Sequence, residues 1–189
     1  PGRRGGPDFR DQVAVGRTLE TDRLLLRPFR PEDRADCFAF LSDPETCHLD
    51  GGYEPFREMD RDYDALMEKL AGQEGRYMVE ERASFRVVGT VHIFNDALRR
   101  VPAMEIGYVI SPACRRRGYA AEAVERVIRY LFEETDTVLV TAGAAAGNAA
   151  SLALLEKLGF TREGRIHKGF FLPGEGAVDL ISFYRERNT

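Results

Sequence analysis

The 189-residue chain has no tryptophan, three cysteines, three histidines and three lysines among its 27 basic residues. Cys37, Cys47 and Cys114 are few, odd in number and not at metal-ligand spacing. A disulfide framework and a cysteine-based metal centre are therefore not expected, and a reducing compartment fits. No apolar run approaches the roughly 20 residues that span a bilayer. No secretion-signal pattern opens the sequence. These absences predict a cytoplasmic protein with neither a membrane nor a metal partner. An excess of positive charge is also missing. The formal net charge is −4, which argues against a nucleic-acid binder.

What is present is an ordinary globular composition, 43% apolar and 31% charged, in a length that suits one domain. The opening PGRRGGP has no period and is rich in turn formers. Residues 1–18 are read as a flexible extension and 19–187 as a single domain. Thr21 to Phe29 reads as a strand, and Pro31 starts a helix with acidic residues in its first turn. His48 to Glu54 reads as a loop and Pro55 to Leu70 as a second helix. Tyr77–Glu81 and Arg86–Asn95 read as paired strands. His92 falls inside the second of these, where a lone histidine is expected to pack rather than act as a base.

The chain is organised around Glu105 to Glu134. Ile106, Tyr108 and Ile110 alternate with polar or opposite-facing neighbours, a strand period. Ala120, Ala123, Val124, Val127, Ile128 and Leu131 then share one helical face. Arg115, Arg116, Arg117 and Gly118 stand between. Basic residues are unfavourable at the positive end of a helix, so three in a row ask for an anion. Free N–H groups at such an end form an anion site, and Gly118 has no Cβ to obstruct it. A charge run is otherwise a solvated loop. Its place between a strand and a glycine-initiated helix favours the anion.

The β-branched run Thr137–Thr141 predicts a strand parallel to the first, making 105–141 a β-α-β crossover. Ala142 to Gly147 reads as a flexible link. Asn148 caps a helix that ends at Gly159. Phe160–Ile166 and Val178–Tyr184 read as a C-terminal strand pair. A dinucleotide-binding unit would need more glycines in the turn and an acid ending the next strand; both are missing.

Arg115-Arg116-Arg117-Gly118-Tyr119-Ala120 resembles the Q/R-x-x-G-x-G/A turn of the GNAT N-acetyltransferases. NAASLALLEKLGF, from Asn148 to Phe160, and the opening LETDRLLLRPFRPED resemble the ribosomal-protein N-terminal (RimJ/RimL-type) branch of that family. The resemblance covers Leu19 to Arg185. It implies an α/β fold with a mixed, mostly antiparallel sheet of about seven strands and about four helices. It implies acetyl-CoA as donor, held by main chain at Val109, Ile110 and Ser111, by the turn residues Arg115, Arg116, Arg117, Gly118, Tyr119 and Ala120, and by Asn148 and Ser151. It implies Glu105 as general base with His167 as runner-up, and Ser151 as the acid. The tyrosine many members use as acid is replaced here by Leu155. The downstream glutamate of the Rim-type pattern is replaced by Phe170. Asp179 is expected to be structural, pairing with backbone or an arginine. His48, Asp50, Tyr53, Phe56 and Tyr63 are offered as acceptor lining. The acceptor is an amine, either a protein N-terminus or a small molecule, and a homodimer is allowed. The alternative is a non-catalytic acyl-CoA-binding or regulatory domain.

Overall fold

A computed structural model describes residues 17–51 and 53–187. Most of the expected N-terminal extension lies outside the described residues. Arg17, at its end, ion-pairs with Glu134 and lies 5.3 Å over the ring of Tyr130.

In chain order the elements are β1 (Leu19–Glu20), β2 (Leu24–Arg27), α1 (Arg34–Leu41), α2 (Pro44–Asp50), α3 (Arg61–Ala71), β3 (Arg76–Glu81), β4 (Arg86–Asn95) and β5 (Ala103–Ile110). They continue with α4 (Tyr119–Glu134), β6 (Leu139–Ala145), α5 (Ala149–Lys157), β7 (Thr161–Leu172) and β8 (Gly176–Glu186). The eight strands form one sheet in the order β1-β2-β3-β4-β5-β6-β8-β7. Among the described residues only β5 and β6 are parallel. The expected mixed sheet and the crossover through α4 are both observed. No described helix is long and apolar enough to cross a membrane.

The expected strand Thr21–Phe29 is shortened to β2, because its first residues form a turn at Thr21–Leu24 that joins β2 to the short strand β1 before it. The start of the expected His48–Glu54 loop, His48 to Asp50, is instead the end of α2. Asp43 accepts from Thr46 N, and Pro44 sits at the first helical position, so a new helix begins there. The next helix starts at Arg61 rather than Pro55, because Asp60 accepts from the N–H groups of Asp62 and Tyr63. The small residues Ala142–Ala145 form a strand rather than a flexible link. Their pairing with β8 overrides their weak strand propensity.

The sheet separates two cores. On one side α4 presents Ala123, Val124, Val127, Ile128 and Leu131 to Leu24, Leu26, Val91, Met104 and Ile106. Each large apolar side chain buried this way is worth about 1.5–3 kcal/mol. On the other side, α1 and α3 supply Cys37, Phe40, Tyr63, Met67 and Leu70 against Met78, Val87 and Val109. Even-numbered β5 side chains therefore face α4, and Val109 faces α1 and α3. Leu155, standing where a catalytic tyrosine was sought, is fully buried in the first core.

Candidate active site

The parallel ladder between β5 and β6 has three pairs, Ala103↔Leu139, Met104↔Val140 and Glu105↔Thr141. Beyond them β5 pairs with β4 and β6 pairs with β8. The strands diverge into a wedge. Ser111 N donates to Val88 O, and Ala103 O accepts from Asp96 N. The odd-numbered β5 residues thus turn their peptide groups to β4. By the alternation of an antiparallel ladder, Ile106, Tyr108 and Ile110 turn theirs into the wedge. Ala146 N donates to Asp179 O on β8, so Gly143 and Ala145 face the wedge from the other side. Of the three residues expected to offer main chain to the cofactor, Ile110 turns its peptide groups into the wedge. Val109 and Ser111 direct their peptide groups to β4. An extended ligand carrying amides could pair with both open strand edges.

At the apex, Thr141 Oγ1 donates to Asp96 Oδ2 at 2.7 Å, both residues being buried. Glu105 lies beside them, half-buried. Burial, and then the nearby Asp96 charge, push its carboxyl above the usual carboxylate range. A carboxylate so placed is a competent proton acceptor from an amine. Glu105 shares its sheet face with Phe94, its direct partner, and with the His92–Gly107 pair. The His92 ring occupies the space over Gly107, where a Cβ would meet its Nε2 at 2.2 Å. Burial, then Arg76, hold His92 down to about 4, so it is neutral at pH 7. Its Nδ1 is buried with no hydrogen-bond partner. The structure thus packs His92, as expected of it, and leaves it uncharged.

Tyr108 Oη on β5 lies 2.8 Å from Ser151 Oγ on α5, bridging the two sides of the wedge. Burial raises the Tyr108 phenol beyond its ordinary value, outweighing the Ser151 bond. It is protonated at neutral pH. Asn148 Oδ1 accepts from Ser151 N at 3.1 Å. The side chain expected to meet the cofactor therefore caps α5 and fixes the height of Ser151. Tyr108 was absent from the sequence-derived site. Its alternation marks it only as a strand residue, and its partner lies 43 positions away.

The basic turn contains two left-handed residues, Arg116 (φ 63) and Gly118 (φ 80). No side chain caps α4. Glu122 N is bonded to Gly118 O, and the N–H groups at the start of the helix precede any intrahelical partner. Arg116 and Arg117 are exposed and form no salt bridge among the described residues. Arg115 differs. Its guanidinium donates to Glu45 at 2.7 Å and to Thr46 Oγ1 at 2.5 Å, tying the turn to α2. Tyr119, the first buried residue of α4, donates its hydroxyl to Glu81, and Ala120 is half-buried. An uncapped, electropositive helix start beside a wedge of open main chain fits a diphosphate followed by an amide-bearing arm.

His167 is not brought to this group. It lies on the edge strand β7, third from β5, 82% exposed and 3.2 Å from Asp179. Asp179 also accepts from Arg165 and Lys168 N, the structural role expected of it. Phe170 pairs with Val178 on β8. Among the acceptor candidates, Tyr63 is wholly buried, donates to Arg34 O and packs edge-on against Phe56. His48, Asp50 and Tyr53 are more accessible. Tyr53 Oη donates to Asp50 at 2.9 Å, and His48 Nε2 lies 3.0 Å from Glu175 in the β7–β8 turn. No cluster of metal-ligating side chains is found among the described residues.

The Acetyltransferase (GNAT) domain family matches residues 23–161. The N-acetyltransferase YoaA of Bacillus subtilis is 31% identical over 161 residues, 82% of this chain and 89% of its own. Among solved structures, a GNAT-family acetyltransferase from Bacillus anthracis superposes with a TM-score of 0.80 at 24% identity, over 90% of this chain and 99% of its own. Spermidine N-acetyltransferase from Vibrio cholerae, in complex with CoA and spermine, does so at 0.73 and 21%, over 88% and 97%. These likenesses favour a transferase over a non-catalytic domain. The chain belongs to the GNAT family of N-acetyltransferases, whose acyl donor is acetyl-CoA.

Proposed function

We propose that the chain moves an acetyl group from acetyl-CoA to a primary amine by direct attack within a ternary complex. The observation that carries this reading is the β5–β6 wedge, with Glu105 at its apex and the Tyr108–Ser151 pair across it. Acetyl-CoA, when bound, supplies a thioester as the electrophile. The basic turn and the α4 N-terminus hold its diphosphate, and the open edges of β5 and β6 align the arm. Glu105 accepts the proton that the attacking amine must lose. An N–H directed into the wedge from β5 stabilises developing negative charge on the carbonyl oxygen. Ser151, hydrogen-bonded to Tyr108, returns a proton to the departing sulfur.

The acceptor is a protein N-terminal α-amine or a small-molecule amine. The Rim-type strings at Leu19–Asp33 and Asn148–Phe160 support the first. The likeness to the spermidine enzyme supports the second. Thermal unfolding with acetyl-CoA, with NAD as control, tests the donor site. A ligand at about 100 times its Kd adds about 2.7 kcal/mol. Thiol release is then followed with a panel of N-terminal peptides and free amines. Stabilisation by acetyl-CoA with no acceptor-dependent thiol release in either panel would overturn the catalytic reading.

A further inference from the structure

Arg23, in the turn between β1 and β2, makes contacts along the whole start of α4. Its Nη1 donates to Arg117 O at 2.8 Å. Its Nε donates to Glu122 Oε2 at 2.7 Å, and Nη2 lies 2.6 Å from the same oxygen. Its guanidinium lies 4.7 Å over the Tyr119 ring. A Cβ on Gly118 would stand 3.3 Å from Nη2. The same turn holds Glu122 from a second direction, through Thr21 Oγ1 at 2.6 Å and Arg23 N at 3.1 Å.

We infer that Arg23 is a positioning residue for the diphosphate of the acyl donor, acting through the Arg117–Gly118 peptide. The inference rests on the basic turn being the diphosphate cradle. A trans peptide points its C=O and N–H in opposite directions. Fixing Arg117 O on the Arg23 side therefore fixes the Gly118 N–H on the opposite side. This peptide lies between the left-handed Arg116 and Gly118, where the backbone is least restrained by its own preferences. Arg23 also neutralises Glu122, the acid in the first turn of α4, which would otherwise repel a bound anion. A lysine could supply the charge but not the fork that reaches Arg117 O and Glu122 together.

The test compares Arg23→Gln, Arg23→Lys and Gly118→Ala with the unmodified chain. Calorimetry measures Kd for CoA, kinetics measures KM for S-acetyl-pantetheine, which has no diphosphate, and Tm monitors folding. Arg23→Gln is expected to weaken CoA about tenfold, a change of about 1.4 kcal/mol, with KM for S-acetyl-pantetheine unchanged. Arg23→Lys should recover only part of the loss, and it serves as the test variant if the glutamine form does not fold. Equal losses for both donors would mean general destabilisation and overturn the proposal. Loss of CoA affinity in Gly118→Ala but not in the Arg23 variants would overturn the role of Arg23 alone. No loss in any variant would overturn the cradle itself.

Discussion

Tyr108 Oη and Ser151 Oγ lie 2.8 Å apart, one on β5 and one on the first turn of α5. The hydroxyl pair links β5 to the helix that follows β6, β5 and β6 being the strands whose divergence opens the wedge. Such a pair can pass a proton, and the raised phenol of half-buried Tyr108 stays protonated rather than ionised. We expect Ser151→Ala and Tyr108→Phe each to lower kcat by about 10²-fold, within the range for general acid–base groups. Kd for CoA should change little. Because the two act as one unit, the double variant should be no slower than the slower single one. Independent, multiplying losses would show that they do not share a role.

Glu105 should set the acidic limb of the pH–rate profile. Its folded pKa is raised by burial and by Asp96, so kcat/KM should rise with pH through a limb above the ordinary glutamate value of about 4.3. Glu105→Gln should remove that limb and lower kcat at least about 10²-fold. An unaltered limb would assign it to another group.

The same residue gives a stability prediction. A raised folded pKa means the folded state binds its proton more tightly than the unfolded state. Stability from this group is full below the unfolded pKa and is lost as pH rises through the folded one. Glu105→Gln should therefore raise Tm at neutral pH, and the difference should vanish in acid. Tm measured across pH checks the sign directly.

Arg27 is buried to 3% exposure and is held by Asp33 through two bonds of 2.7 Å and by Glu80 at 2.6 Å. Burial alone would lower its pKa; the two carboxylates outweigh it and raise it. Asp33→Asn should leave a buried charge underpaired and cost about 3–5 kcal/mol in urea unfolding. Kd for CoA in the folded fraction should be unchanged, since the network lies on β2, β3 and the start of α1.

Gly107→Ala tests the packing of the site floor. The added Cβ meets His92 Nε2, and overpacking of this kind costs about 1–3 kcal/mol. His92→Ala should relieve it. The double variant should then lose less than the sum of the two single changes. Additive losses would show that the two side chains do not compete for the same space.

The local sequence was sufficient for the helix face of α4, the strand period of β5, the cap at Asn148 and the glycine that opens α4. Each of these depends on periodicity or on the steric freedom of one residue, and both are written in neighbouring letters. It also carried the two motifs that identify the family. The start of α2 and the strand character of Ala142–Ala145 were not legible. The first turned on whether Asp43 would end one helix or cap the next, and the second on β8, a strand more than thirty residues later in the chain. The site was divided in the same way. Glu105 and Ser151 were named from motif position, yet the burial that raises the Glu105 carboxyl comes from its surroundings. Tyr108 reaches Ser151 only because β5 and β6 part after three pairs. Arg115, alike in sequence to Arg116 and Arg117, is taken by Glu45 and Thr46 of α2, while Arg23 reaches the turn from 94 residues away. Charge and period are properties of a segment. Which charge faces a ligand, and which meets a carboxylate, is decided by what the fold places within a few ångströms of it.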